Sequence, residues 1–249
     1  MMELPVLVDC SMLKAVLFDF NGVIINDEPL HERLLDKILV EENLRPNPDE
    51  YRQFCVGRSD RACITDLFAQ RGRILNPAQL DTIVQRKSTY YQQYLETMES
   101  LPVYPGLVDL ITTLQAAELA LAVVSGAVRA EIELVLQRLD LAQYFSVLVA
   151  GDEIAKSKPE PDGYLLAVER LNQLTPNLNL HPSECLVIED TFAGVEAAKR
   201  ADMQVIGVAH TYPFHMMQRV ANWTIDYYSD LELERITAWF EQATSSLAS

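Results

Sequence analysis

The chain has 249 residues, 49% of them hydrophobic and 22% charged, which is apolar material enough for one large α/β domain or a core with a smaller insertion. That balance excludes disordered, collagen-like and low-complexity classes. Twenty Lys and Arg against 36 Asp and Glu leave a formal charge of −16, which repels phosphate backbones and argues against nucleic-acid and membrane partners.

At the start, Met1 to Met12 carries Glu3 and Asp9, has no basic region, and its apolar run Pro5 to Val8 is too short for a signal peptide. No segment approaches a transmembrane span, so the expectation is a soluble, cytoplasmic protein. Met12 is an alternative start, because the first eleven residues precede the recognisable pattern. The first clear strand is Ala15-Val16-Leu17-Phe18, apolar at every position and stopped by Asp19 and the turn Asn21-Gly22. A short run of that kind suits a strand covered on both faces, as in a parallel sheet. Asp9 also ends an apolar run, but it lacks the glycine turn.

From Leu30 to about Met98 the periodicity is helical: Leu34, Leu35, Ile38 and Leu39, then Ile64, Leu67 and Phe68, then Leu80, Ile83 and Val84. Arg52, Arg58, Arg61, Arg71, Arg73, Arg86 and Lys87 gather positive charge there. The reading is a helical insertion over residues 29–98, with residues 1–28 and 99–249 forming the α/β core. Strand-like runs follow at Leu119 to Val124, Val147 to Ala150, Leu186 to Ile188 and Val205 to Val208. Helical patterns alternate with them at Leu107 to Ala116, Ala130 to Leu139, Gly163 to Leu171 and Ala193 to Ala201. Alternation of this kind predicts a parallel sheet flanked by helices. Thr175 to Asn179 reads as a polar loop and Ser245-Ser246 as a fraying tail. His210, His215 and Met216-Met217 suggest a mobile loop, and Trp223 and Trp239 suggest packing. Cys10, Cys55, Cys63 and Cys185 form no C-x-x-C pair or zinc-ligand spacing, and read as four separate buried thiols of a reducing compartment.

Chemistry concentrates where the predicted strands end, at Asp19, Ser125, Lys158 and the pair Glu189-Asp190. Ligands of open parallel sheets bind outside the carboxyl ends of the strands, so these residues converge in such a fold. Their types form a coherent set. Carboxylates hold Mg²⁺, which favours oxygen ligands. A lysine and a hydroxyl hold phosphate oxygens while one carboxylate attacks phosphorus.

Four motifs in order carry a resemblance: Asp19-Phe20-Asn21-Gly22-Val23, Val124-Ser125-Gly126, Lys158-Pro159-Glu160-Pro161-Asp162 and Ile188-Glu189-Asp190-Thr191-Phe192-Ala193-Gly194. With Val103-Tyr104-Pro105-Gly106, they resemble the haloacid dehalogenase (HAD) superfamily, in its helical-cap branch of β-phosphoglucomutases and sugar-phosphate phosphatases. The resemblance covers Lys14 to about Val208 and implies a Rossmann-like α/β core with an inserted cap. It implies that Asp19 is the nucleophile that forms an aspartyl-phosphate and also a Mg²⁺ ligand. By the same resemblance Asn21 offers its backbone carbonyl to the metal, Asp190 ligates directly, and Glu189 ligates directly or through water. Ser125 and the Gly126 N–H would bind phosphate oxygens, and Lys158 would neutralise phosphate and keep Asp19 ionised, with Lys156 a solvated neighbour.

One position departs from the pattern. Phosphatases and phosphomutases of the family carry an acid/base aspartate two residues after the nucleophile, where this chain has Asn21. An amide orients a water or a leaving group but does not exchange protons at neutral pH. Losing a general acid/base typically costs a factor on the order of 10²–10⁴. In the insertion, His31 sits at the hinge, either as a structural residue or as a proton donor in place of Asn21. Arg58, in Gly57-Arg58-Ser59, reads as a phosphate or sugar contact or a solvated side chain. Lys87 reads as a Schiff-base candidate or as part of a charged helix face. The expectation is a Mg²⁺-dependent phosphohydrolase acting on a small phosphorylated metabolite, with a monomer as the default state. The alternatives are a β-phosphoglucomutase-like phosphomutase and a catalytically weak phosphate-binding relative.

Overall fold

A computed structural model describes residues 12–247; Asp9 and Cys10 lie outside the described residues. A six-stranded sheet, parallel at every pairing, runs in the order β3-β2-β1-β4-β5-β6. Its strands are β1 (Ala15–Phe18), β2 (Ala120–Val124), β3 (Val147–Val149), β4 (Cys185–Glu189), β5 (Gln204–Val208) and β6 (Trp223–Ile225). Four helices, α1 (Glu28–Glu41), α2 (Pro48–Phe54), α3 (Asp60–Gln70) and α4 (Pro77–Glu96), fill the long connection after β1. The rest of the chain adds α5 (Leu107–Ala116), α6 (Arg129–Arg138), α7 (Asp162–Leu174), α8 (Phe192–Arg200), α9 (Phe214–Met217) and α10 (Leu233–Leu247). Ser245 and Ser246 thus belong to α10 and do not form a separate tail.

The strands alternate between two apolar layers. Val16, Phe18, Leu121, Val123, Leu186 and Ile188 join one cluster, while Ala15, Leu17, Ala122, Val124, Cys185 and Val187 join the other. A side-chain period of two on a sheet covered on both sides makes every position apolar, which is why these runs carry no polar residue. A third cluster holds α1, α3 and α4 together through Leu35, Ile38, Leu39, Ile64, Leu67, Phe68, Ile83 and Val84. Local chemistry fixes the helix starts. Asn76 and Gln79 form a reciprocal capping box at α4 with Pro77 in its first turn, and Ser59 Oγ caps α3 by accepting from Ala62 N.

Phe18 is in register with both Val123 and Ile188, so β2 and β4 end together, one residue beyond β1. The chain leaves β1 for β2 and β3 on one side and returns for β4, β5 and β6 on the other. This reversal opens a crevice above the carboxyl end of β1.

The cysteines differ from the sequence expectation. Cys55 and Cys63 form a disulfide that brackets Gly57-Arg58-Ser59, and Cys185 is the free, buried cysteine among the described residues. The pairing removes the cysteine argument for a reducing compartment. Closing so short a loop stabilises the folded state by about 2–3 kcal/mol on the chain-entropy account. Urea melts with and without reductant should therefore separate, the reduced protein unfolding at lower urea. Coincident curves would show that the bond contributes nothing in solution.

Candidate active site

Each strand that ends at the crevice delivers a polar group. Asp19 follows β1 and is tied down by its N–H to Ile188 O at 3.0 Å. Ser125 follows β2, with its N–H on Val149 O at 3.0 Å, and its Oγ accepts from Ala127 N at 3.0 Å. Glu189 ends β4, Asp190 follows it, and Thr191 Oγ1 caps α8 by accepting from Gly194 N at 3.1 Å. Lys158 enters from the segment before α7. Asp19 and Lys158 are 4% and 5% exposed, and Ser125, Glu189 and Asp190 are closed off more fully.

Lys158 Nζ stands 2.9 Å from Asp19 Oδ1 and 2.5 Å from Glu189 Oε1, and donates to Val124 O at 3.3 Å. Tyr164 OH donates to the same Glu189 oxygen at 2.9 Å. Glu189 Oε2 accepts from Asp190 N, Thr191 N and Thr191 Oγ1 at 3.0 to 3.2 Å. Both Glu189 oxygens are thereby occupied by protein. Asp190 differs: Thr211 Oγ1 donates to its Oδ2, while its buried Oδ1 has no hydrogen-bond partner. Oxygens of Asp19, Glu189 and Asp190 all lie within 4.8 Å of one another.

Three carboxylates facing one ammonium do not balance. Burial first, and then Glu189, push the Asp19 carboxyl up to about 7 against the pull of Lys158. Burial, followed by Glu189 and Asp19, pushes Asp190 well above the usual carboxylate range. Burial alone lowers a lysine, yet Asp19 and Glu189 hold the Lys158 ammonium above its ordinary value. An orphaned buried oxygen in a clustered, all-oxygen, net negative donor set fits a hard divalent cation. Asp19 and Asp190 have the ligand atoms to offer, with Glu189 turned to Lys158 beside them.

Backbone geometry permits this crowding. Gly22 lies at φ +77°, and a Cβ there would sit 1.9 Å from Asp190 Oδ2. A Cβ on Gly126 would meet the Arg58 carbonyl at 2.7 Å, so the 57–59 loop lies directly on the turn after β2. Ser59 N donates to Ser157 Oγ at 2.7 Å at the same contact. The result is a partly open cavity lined by Asp19, Asn21, Glu28, Tyr51, Arg58 and Gly126, among others.

The insertion residues occupy other places than the sequence suggested. The Arg58 guanidinium donates to Asp66 Oδ2 at 2.7 Å and to Phe54 O at 2.9 Å, so its charge is spent within the helical segment. Lys87 is no exposed helix face: it is 0% exposed and donates to Asp60 Oδ2 at 2.7 Å. His31 Nδ1 accepts from the Lys87 ammonium at 2.5 Å, which leaves its proton on Nε2, facing Asp27 Oδ2 at 3.2 Å. Asn21 Nδ2 donates to both Asp27 oxygens at 3.0 Å and lies 2.9 Å from His31 Nε2. Lys156 is exposed, as expected of a solvated neighbour.

His210 is no part of a mobile loop. Its ring stacks on Tyr104 at 3.6 Å, and its Nδ1 donates to Gly22 O at 2.7 Å. Tyr228 OH donates to Val23 O at 2.6 Å, so the turn after Asp19 is fixed from two sides. Met217 is buried in α9, and Trp223 and Trp239 pack edge to face, as expected. Sequence reasoning passed over Asp27, Glu28, Tyr51, Tyr164 and Thr211. The adjacent acids Asp27-Glu28 just ahead of a helical run were the one available signal.

The chain is similar to several known proteins. A family profile described as haloacid dehalogenase-like hydrolase matches residues 13–202. A phosphorylated carbohydrates phosphatase from Thermotoga maritima is 28% identical over 80% of this chain and 87% of its own length. The β-phosphoglucomutase of Bacillus subtilis is 28% identical over 92% of this chain and 96% of its own length. Among solved structures, CbbY from Rhodobacter sphaeroides, as a variant in complex with xylulose-(1,5)bisphosphate, superposes with a TM-score of 0.76 at 25% identity. That match covers 89% of this chain and 97% of the other.

Proposed function

We propose, for a chain that belongs to the haloacid dehalogenase-like hydrolases, that it is a Mg²⁺-dependent phosphatase of a small phosphorylated metabolite with Asp19 as its nucleophile. One observation carries the reading: Asp19 is buried beside a single ammonium and shares 4.8 Å of space with Asp190 and Glu189. Lys158 Nζ at 2.9 Å orients the attacking carboxylate and offers positive charge to a phosphate. Ser125 and Gly126 follow β2, the strand paired with β1, and the Ser125 hydroxyl and Gly126 N–H would hold the remaining phosphate oxygens. Asp19, Asp190 and the Asn21 backbone carbonyl would hold the metal, with Glu189 fixing Lys158. When bound, Mg²⁺ neutralises the cluster and stabilises charge on the transferring phosphoryl group. Helices α1–α4 act as a cap that excludes water and selects the leaving group.

Hydrolysis is favoured over phosphomutase action, because a bisphosphate needs a second anion site in the cap. Arg58, which lines the cavity, is already paired with Asp66, and Lys87, behind the lining residues His31 and Asp60, is already paired with Asp60.

The test is hydrolysis of a panel of phosphate monoesters after chelation and after Mg²⁺ is restored. Activity that ignores chelation, or no turnover of any ester, rejects the reading. Asp19 adds a pH signature. A proton competes with the cation for a carboxylate that titrates at about 7, so Mg²⁺ affinity should rise from pH 6 to pH 8. Calorimetric titration at pH 7 in two buffers of different ionisation enthalpy should show proton release, and equal heats in both would contradict it.

A further inference from the structure

Hydrolysis of an unactivated ester needs a proton for the leaving oxygen, and residue 21 has none to give. The planar amide of Asn21 is held with its nitrogen toward Asp27, because the reverse orientation would set its Oδ1 against two carboxylate oxygens. Its Oδ1 is left to the cavity, and that atom only accepts.

The other proton-bearing groups around the cavity are occupied in turn. His31 has Lys87 on Nδ1 and Asp27 Oδ2 on Nε2. Lys158 is divided between Asp19, Glu189 and Val124 O. Arg58 is paired with Asp66, and Asp60 accepts from Lys87. Tyr51 spends its hydroxyl proton on Glu28 Oε2.

Glu28 is what remains. It stands at the first position of α1, lines the same cavity as Asp19 and Asn21, and is pinned by Tyr51 through one oxygen only. Among the described residues, its Oε1 has no hydrogen-bond partner. Building on the phosphatase reading above, we infer that Glu28 is the general acid and base of this enzyme, doing from the start of the cap what residue 21 does in relatives that carry an aspartate there. Burial is the largest influence on its carboxyl and raises it above the ordinary range. His31, Tyr51 and Lys87 oppose that shift, and Asp27 adds to it. A carboxyl that keeps its proton nearer neutrality is suited to both halves of the reaction.

The steps balance. As Asp19 forms its bond to phosphorus, the bond from phosphorus to the leaving oxygen breaks, and the Glu28 proton passes to that oxygen. Water then attacks the phosphorus of the aspartyl-phosphate and gives a proton to the Glu28 carboxylate. The bond to Asp19 breaks, phosphate departs, and both carboxyl groups return to their starting states.

The decisive measurement is kcat/KM for Glu28→Gln and the wild type across phosphate esters of rising leaving-group pKa, from 2,4-dinitrophenyl phosphate to glycerol phosphate. Gln preserves an acceptor for Tyr51, so the fold is kept and only the proton is lost. For glycerol phosphate the expected loss is on the order of 10²–10⁴-fold. For the dinitrophenyl ester, whose leaving group departs as an anion, the loss should be less than about tenfold. The alkaline limb of the wild-type kcat/KM profile should vanish in the variant. Glu28→Asp, which keeps a carboxyl on a shorter arm, should recover part of the lost rate and guards against a folding defect. Equal losses for all esters, or no loss for any, overturn the assignment of Glu28 while leaving the phosphatase reading intact. A wild type that hydrolyses none of the esters overturns both.

Discussion

Asp19→Asn should lower phosphatase turnover by a factor on the order of 10⁴ or more, the scale set by removing a nucleophile that acts as one unit with its partners. The same substitution should leave the metal-free protein at least as stable as the wild type. The physical reason is that Asp19 occupies a place where its charge is poorly tolerated. Its carboxyl is raised from an ordinary 3.8 to about 7, first by burial and then by Glu189. Between those two values the folded state binds more protons than the unfolded state, so stability falls as pH rises through that window. The loss is complete above about pH 7 and is of the order of a few kcal/mol. Asn has no charge to bury, and Lys158 keeps Glu189 at 2.5 Å as its counterion. Urea melts in chelator at pH 5.5 and pH 8 should show the wild type weakening with pH and the variant doing so much less. Mg²⁺ should then stabilise the wild type more than the variant. A variant that retains a tenth of the activity, or one less stable than the wild type at pH 8, would refute the role given to Asp19.

Half of this site was written in strand ends. Ala15–Phe18, Ala120–Val124 and residues 185–188 are apolar because both faces of the sheet are covered, and a polar residue at the close of such a run stands out. The runs gave the residues but not their division of labour. That Glu189 is enclosed by Lys158, Tyr164 and Thr191 while Asp190 keeps a bare oxygen depends on side-chain direction at two adjacent positions. β6 escaped because Trp223, Thr224 and Ile225 are too few to show a period. The stripe Leu233, Ile236 and Phe240 of α10 does carry a helical spacing. Cys55 and Cys63 could not be paired from spacing, since a disulfide requires their Cα atoms, here 4.6 Å apart, to be brought together by the turn between α2 and α3. The burial of Lys87 is hidden from the sequence for a related reason. A lysine beside an arginine on a helix reads as solvated until three other elements close over it.

Those elements set the second large effect. Lys87 Nζ on α4 meets Asp60 on α3 at 2.7 Å, His31 on α1 at 2.5 Å and Glu131 on α6 at 3.9 Å. One ammonium, fully buried, thus links α1, α3 and α4 to one another and to α6. Lys87→Met keeps the length and apolar bulk of the stem but leaves Asp60 and Glu131 without a counterion. Breaking a buried pair from one side costs about 3–5 kcal/mol, because the remaining charge has no water to replace its partner. The penalty should depend on pH. Burial already raises the Glu131 carboxyl above its ordinary value even with Lys87 present, and without the ammonium it must rise further. A carboxyl raised in the folded state takes up a proton there more readily than in the unfolded chain, so the variant regains stability as pH falls. Denaturation at pH 8 and pH 5 should therefore show the full deficit at the higher pH and a smaller one at the lower. A deficit below about 1 kcal/mol at pH 8, the ordinary worth of an exposed pair, would mean that Lys87 is solvated after all and that α4 is not held to α6 by charge.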